Sequence, residues 1–274
     1  MRPQHRHGQH FLVDRNLMQK LVDSAEISSD DVILEIGPGT GSLTNMLADR
    51  AAHVVSVEID PRIAEVARRH LDHHDNLTLL VADALKGKNS LNPEVLEMFL
   101  EKHRQTAGQA LLVANLPYNA ASPIVADLLI DVPQVRTLCF TVQKEVADRM
   151  TAVPRTADYG PLTVIIQALA RAKRVAKVPA KAFWPPPDVE SAILKIEIDP
   201  ARKAAVGDIH HLAAVTHRLF LHRRKTLWQN LKLTYNEQAD WLKDRMDIDW
   251  RRRPEELSIE DWVNLAKALP RASA

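Results

Sequence analysis

The sequence predicts an α/β fold, a largely parallel sheet covered by helices on both faces, followed by a small all-helical C-terminal domain. Three observations predict it: five short apolar runs separated by helix-like segments, a glycine-rich turn directly after the first run, and a change to helical periodicity alone after Asp199-Pro200. Strands buried on both faces read as continuous apolar runs, and strands that alternate with helices build parallel sheets.

The five runs lie at 32–36, 53–57, 77–81, 110–114 and 135–142. Between the second and third, Asp60 is placed as an N-cap with Pro61 at the first helical position, so the second strand passes into its helix through a very short turn. The connection 86–108 is expected to hold a surface helix. Apolar runs at 162–168 and 191–198 read as two further strands, separated by a basic segment and the Phe183-Trp184-Pro185-Pro186-Pro187 turn. Behind Pro200, Ser258-Ile259-Glu260-Asp261 is a capping-box-like start, with Trp262, Leu265, Ala266 and Leu269 following at helical spacing. The domains are therefore expected at 1–199 and 200–274.

With 274 residues, 46% hydrophobic and 26% charged, the chain is long and apolar enough for one substantial core and a smaller companion. Its one cysteine, Cys139, sits in an apolar run, which excludes an intramolecular disulfide and fits a reducing cytoplasm. No stretch approaches the ~20 apolar residues of a membrane span, and the start lacks the apolar core of a signal peptide, so a cytoplasmic chain is expected. A net charge of +1 gives no whole-molecule argument for nucleic acid. The distribution says more: the first ten residues, 171–181 and 217–232 carry basic residues and no acidic ones, a zoning that suits phosphates or, more plainly, solvated faces.

Glu35-Ile36-Gly37-Pro38-Gly39-Thr40-Gly41 follows the first strand and opens a helix, where Gly37 and Gly39 let a ligand approach the backbone. A dinucleotide fingerprint needs glycine or alanine where this chain has Ser42, which weakens a dehydrogenase reading. Glu58, ending the second strand, is placed to accept from both hydroxyls of a ribose, and Asp83, after the third, to meet an adenine amino group. Each has a plain alternative as a turn or cap. At the ends of three successive strands they cohere as a crevice for a nucleoside-bearing cofactor.

Asn115-Leu116-Pro117-Tyr118 follows the fourth strand and should share that edge. An adenine amino group is a poor nucleophile because its lone pair is delocalised into the ring. Acceptors for both of its N–H groups, the Asn115 side-chain oxygen and the Leu116 or Pro117 carbonyl, favour a pyramidal nitrogen, and Tyr118 would stack on the base. Proline holds the turn before substrate arrives. Phe183 is a candidate for the other face of the base, or a core aromatic.

Taken together, Gly8 to Leu12, Glu35 to Thr44, Val57 to Asp60, Ala82-Asp83-Ala84, Asn115 to Tyr118, Gln143 to Val146, Tyr159-Gly160, Phe183 to Ser191 and Arg223-Arg224-Lys225-Thr226-Leu227 resemble the ribosomal RNA adenine dimethyltransferase family over nearly the whole chain. The resemblance implies a Rossmann-like class I methyltransferase sheet and S-adenosylmethionine, leaving as S-adenosylhomocysteine, contacted by His10, Leu12, Gly37, Glu58, Asp83 and Asn115. It implies, as substrate, two adjacent adenosines near the 3′ end of 16S small-subunit RNA, each methylated twice during subunit assembly. Arg223, Arg224 and Lys225 would hold RNA phosphates, and the target base would leave its stack to enter the pocket. The chain departs from the family at His10, where many members carry Asn, and in the longer 86–108 connection.

Two rivals remain. A macrolide-resistance type of enzyme shares the fold and chemistry but methylates 23S RNA; the 223–227 block and Tyr159-Gly160 favour the small-subunit type. A non-catalytic RNA-binding assembly or transcription factor would need none of the intact Asn115, Tyr118, Glu58 and Asp83. No metal site is expected, since His70, His73 and His74 lie beside Asp72 and Asp75 at an exposed helix end. A monomer is expected.

Overall fold

Seven strands form the central sheet of the protein, whose structure, a computed structural model, describes residues 10–87, 90–243 and 245–271, the side chains of 237 and 238 apart. The basic N-terminus anticipated from the sequence falls mainly outside the described residues. The chain divides into two compact units, Met1–Ala147 with Ala172–Ile198, and Asp148–Arg171 with Asp199–Ala274.

The first unit opens with β1 (Phe11–Leu12) and α1 (Arg15–Ala25), whose first-turn amides are capped by the Asp14 carboxylate. Alternating elements follow: β2 (Val32–Ile36), α2 (Ser42–Ala48), β3 (His53–Glu58), α3 (Pro61–His70) and β4 (Leu77–Val81). Asp60 caps α3, with Pro61 at its first position, as the sequence indicates. The long connection holds antiparallel β5 (Leu85–Lys86) and β6 (Ser90–Leu91) and then α4 (Pro93–Arg104). Helix α4 is the expected surface helix, with Val95 and Phe99 buried on its inner face and its charged residues outward. Then come β7 (Ala110–Asn115), α5 (Ala121–Asp131), β8 (Val135–Gln143) and α6 (Lys144–Met150).

The apolar run at 162–168, expected as a strand, is instead helix α7 (Pro161–Leu169), with Pro161 in its first turn. Periodicity cannot separate a short buried helix from a buried strand, and Gly160-Pro161 was the local signal for a helix start. The basic segment after it is β9 (Ala170–Val178), an edge of the sheet, where charged side chains block pairing with another chain. Next, β10 (Phe183–Trp184) pairs antiparallel with β1, and β11 (Ser191–Ile198) completes the sheet.

Sheet order is β4-β3-β2-β7-β8-β11-β9, with β4 through β8 parallel and β11 antiparallel to β8. Chain order therefore leaves β2 in both directions, toward β3 on one side and β7 on the other. The crevice at the carboxyl ends of β2 and β7 is the topological switch point, where open α/β sheets bind ligands.

The second unit contains α7, α8 (Pro200–Val206), α9 (Ile209–Phe220), α10 (Leu227–Tyr235) and α11 (Ile259–Ala268). The sequence boundary near Pro200 thus marks where this unit resumes, but residues 148–171 also belong to it. The reason is packing: Tyr159 is fully buried, its hydroxyl donates to the Leu257 carbonyl at 2.8 Å, and Phe220 stacks on Trp262 with centroids 5.3 Å apart. Ser258 and Asp261 form the expected capping box at the start of α11.

Candidate active site

The glycine turn between β2 and α2 shapes one wall of a cleft. Gly37 and Gly39 have φ of 76° and 58°, the left-handed region that side chains disfavour, and a Cβ on Gly39 would come within 2.6 Å of the Phe11 ring. The cleft, of about 320 Å³, is lined by His10, Phe11, Gly37, Gly39, Glu58, Asp83, Leu85 and the run Asn115 to Ala120. That volume lies at the lower end of the ~300–1,000 Å³ usual for small-molecule sites.

Glu58 ends β3 with 5% of its surface exposed, and one carboxylate oxygen accepts from the Asp60 amide at 2.9 Å. Burial raises its pKa above the ordinary value, while that amide and those of Gly39 and Ile59 oppose the rise. Asp83 lies past the end of β4, where Oδ1 accepts from the Leu85 amide at 2.9 Å and Asn92 Nδ2 donates to its backbone carbonyl at 3.0 Å. These bonds hold Asp83 in place among the residues that line the cleft.

Across the cleft, Asn115 closes β7. Its Nδ2 donates to the His10 carbonyl at 2.9 Å, and its Oδ1 accepts from the hydroxyl of Thr141 on β8. Tyr118 lies under the His10 ring, with centroids 5.4 Å apart and planes 27° apart, and its hydroxyl shares a 2.9 Å hydrogen bond with Ser191 at the start of β11. His10 Nδ1 is 2.8 Å from the Pro185 carbonyl. A carbonyl only accepts, so His10 Nδ1 is the donor in this bond.

Of the residues singled out in the sequence, His10, Gly37, Gly39, Glu58, Asp83, Asn115, Leu116, Pro117 and Tyr118 come together around this one cleft. Three expectations need correction. Phe183 does not line the cleft: it is 3% exposed and belongs to the apolar core, where β10 pairs it with the equally buried Leu12. The neighbouring Trp184 is the exposed aromatic, stacked beside Phe11 at 6.4 Å. Leu12 likewise belongs to the core and is not among the residues that line the cleft. Of the two carbonyls considered from the sequence, Leu116 or Pro117, that of Pro117 is already occupied, receiving the Ala120 and Ala121 amides at 3.0 and 3.1 Å as α5 begins.

Sequence reasoning missed Thr141 and Ser191, because which strand lies beside β7, and in which register, is a tertiary fact. Their small polar side chains, buried in largely apolar stretches of β8 and β11, were the only signal. Glu35, quoted from the motif without a role, is fully buried beneath the cleft: Oε2 accepts from Thr44 and Ser56 at 2.7 and 2.5 Å, and Oε1 has no hydrogen-bond partner among the described residues. Burial lifts its pKa to about 7.

Arg223, Arg224 and Lys225 lie in the second unit, exposed in the turn between α9 and α10. Arg223 donates to the Ala157 carbonyl, so Arg224 and Lys225 are the freer cations, just before the Thr226 cap of α10. The histidines of α3 and the turn after it are engaged differently: His73 and His74 both bond Asn45 Oδ1, at 3.1 and 2.9 Å. Among the described residues, no group of three or more His, Cys, Asp or Glu is arranged to hold a metal, and no helix is long and apolar enough to cross a membrane.

This cleft, on this sheet, can be compared with known proteins. The family model described as "Ribosomal RNA adenine dimethylase" matches residues 2–270. The chain belongs to that family. Its curated relatives include "Ribosomal RNA small subunit methyltransferase A" of Geobacillus thermodenitrificans, 38% identical over 96% of this chain and 89% of the relative, and the protein of the same name from Bacillus mycoides, 39% identical over the same shares. Among solved structures, a dimethyladenosine transferase from Plasmodium falciparum superposes with a TM-score of 0.76 at 24% identity, covering 93% of this chain and 96% of that one. The 23S rRNA methyltransferase ErmE superposes at 0.66 with 29% identity, over 94% and 99% of the two chains. The adenine dimethylase fold thus extends over both units.

Proposed function

We propose that this chain is a 16S ribosomal RNA adenine N6,N6-dimethyltransferase that uses S-adenosylmethionine, acting in the cytoplasm as a monomer on two adjacent adenosines of the assembling small subunit. The observation that carries the proposal is the convergence of Glu58, Asp83 and the Asn115 to Tyr118 loop on one cleft at the switch point of the sheet, in a chain whose 38–39% identical relatives bear the small-subunit methyltransferase name.

The residues fit the cofactor. Glu58 accepts from the ribose hydroxyls, Asp83 from the adenine amino group, and the Gly37 to Gly39 backbone leaves the approach open. S-adenosylmethionine, when bound, supplies an electrophilic methyl group. Asn115 Oδ1 and the Leu116 carbonyl take the two N–H groups of the acceptor adenine, drawing its nitrogen lone pair out of the ring and stabilising the positive charge that develops there. Tyr118 stacks on the base, steadied by Ser191 and His10. With these groups preset, positioning accounts for the rate and no covalent nucleophile is required. Arg224 and Lys225 engage phosphates, a sequence-independent contact that leaves selection of adenine to the pocket.

Asn115→Ala tests the chemistry. The variant should transfer methyl groups at least about 100-fold more slowly at saturating S-adenosylmethionine, as expected for a lost transition-state acceptor, whatever its cofactor contact contributes to Kd. Turnover at the parental rate would remove Asn115 from the reaction.

A further inference from the structure

We infer that Thr141, a buried hydroxyl on β8, is a positioning residue for methyl transfer, acting by holding the amide of Asn115 in the plane that presents Oδ1 to the acceptor adenine. This rests on the proposed role of Asn115 in accepting from the base.

Asn115 and Thr141 are cross-strand partners in the parallel β7–β8 pair, one at the last residue of its strand and the other two short of its end. Thr141 is fully buried, between Phe140 and Val142, which are buried as well. Its hydroxyl donates to Asn115 Oδ1, while Asn115 Nδ2 donates to the His10 carbonyl at 2.9 Å.

The two bonds do different work. The His10 carbonyl can only accept, so it decides which end of the amide is nitrogen. A hydroxyl can donate or accept, so Thr141 does not choose the end; it fixes where the oxygen lies and the rotation about the terminal torsion, which for Asn is otherwise broad. An amide oxygen has two lone pairs. Thr141 takes one, and the other is directed to the cleft, where an N–H of the acceptor base arrives. Thr141 thus leaves a single, oriented acceptor site in place of a rotor.

The two bonds anchor the amide to different parts of the fold. His10 lies just before the two-residue strand β1, so the bond from Nδ2 ties Asn115 to the start of the chain, whereas Thr141 ties it to the central sheet. Preorganised acceptors accelerate a reaction because they need no reorientation as charge develops, and a displacement of about 1 Å at such a group lowers turnover by on the order of 100-fold.

Thr141→Val keeps the shape and removes the hydroxyl, whereas Thr141→Ser keeps the hydroxyl and removes a methyl group. Both would be compared with the parent and Asn115→Ala for kcat and KM with unmethylated small subunits, Kd for S-adenosylhomocysteine, Tm, and the Asn115 side-chain amide resonances in a 15N-labelled sample. For Thr141→Val the expected result is a fall in kcat of about 10- to 100-fold with Kd and Tm unchanged and the Asn115 resonances displaced. Thr141→Ser should return kcat to within about threefold of the parent and restore the resonances. Parental kcat in Thr141→Val, or equal losses in the Val and Ser variants, would overturn the inference. If Asn115→Ala itself turns over normally, the role of Asn115 falls and this inference with it. An inactive Asn115→Ala beside a fully active Thr141→Val would remove Thr141 alone.

Discussion

Glu35 gives the protein a pH dependence of stability that a single substitution should erase. Its carboxyl is fully buried, with two hydroxyl donors on one oxygen and none among the described residues on the other, and burial lifts its pKa from the ordinary 4.5 to about 7. Between those values the folded chain holds a proton on Glu35 that the unfolded chain has released, so the Glu35 contribution to folding stability is greatest below pH 4.5 and falls as pH rises toward 7. That interval, at ~1.36 kcal/mol per pH unit, corresponds to about 3 kcal/mol. Glu35→Gln keeps the shape and an oxygen for Thr44 and Ser56, and it never ionises. Urea unfolding followed by circular dichroism at pH 5, 6, 7 and 8 would compare the two proteins, so that titrations common to both cancel. The stability difference, variant minus parent, should climb by about 2–3 kcal/mol from pH 5 to pH 8 and level off above pH 7. A difference that stays constant with pH, or falls, would show that Glu35 is ionised in the fold throughout this range.

Other substitutions separate the parts of the site. Glu58→Ala should weaken S-adenosylhomocysteine binding by about 10- to 100-fold, the usual loss of ~1.5–3 kcal/mol for a hydrogen bond to a charged group, and an unchanged calorimetric Kd would place Glu58 outside the cofactor site. Gly39→Ala meets both the left-handed φ of 58° and the Phe11 ring at 2.6 Å, so it should lower stability by ~1–2 kcal/mol and weaken cofactor binding; a parental Tm and Kd would show that the turn has room to relax. Replacing Arg224 and Lys225 together by alanine should weaken RNA binding and make the plot of log K against log salt shallower by about 1.5, for two lost phosphate contacts on single-stranded RNA. An identical slope would leave both cations as solvated surface.

How far the molecule was legible in its sequence depends on what each residue signals locally. The parallel strands were readable because they are short and largely apolar, β2, β7 and most of β3 and β8 from burial and the edge strand β4 despite partial exposure, and Asp60-Pro61 and Ser258-Asp261 carry capping chemistry that needs no tertiary partner. The residues that line the cleft were readable for a similar reason: Gly37, Gly39, Glu58, Asp83 and Asn115 all lie at or just past strand ends that topology gathers along one edge. Where the sequence misled, a tertiary choice decided. Residues 162–168 are as apolar as a strand but fold as α7, and β9 hides behind its charges because an edge strand tolerates them. Tyr159 pulls its segment into the helical unit through a bond to Leu257, almost a hundred residues away, which no local pattern encodes. Phe183 was compatible with a cleft or a core, and its pairing with Leu12 settles it in the core. Thr141 and Ser191 acquire meaning only from the strands and side chains they adjoin.

The most direct test uses S-adenosylmethionine with a labelled methyl group, unmethylated small ribosomal subunits and, in parallel, large subunits, followed by digestion of the RNA and identification of the labelled nucleosides. The expected result is N6,N6-dimethyladenosine from the small subunit alone. Label in large-subunit RNA, or none in either despite measurable binding of cofactor and RNA, would contradict the proposed activity.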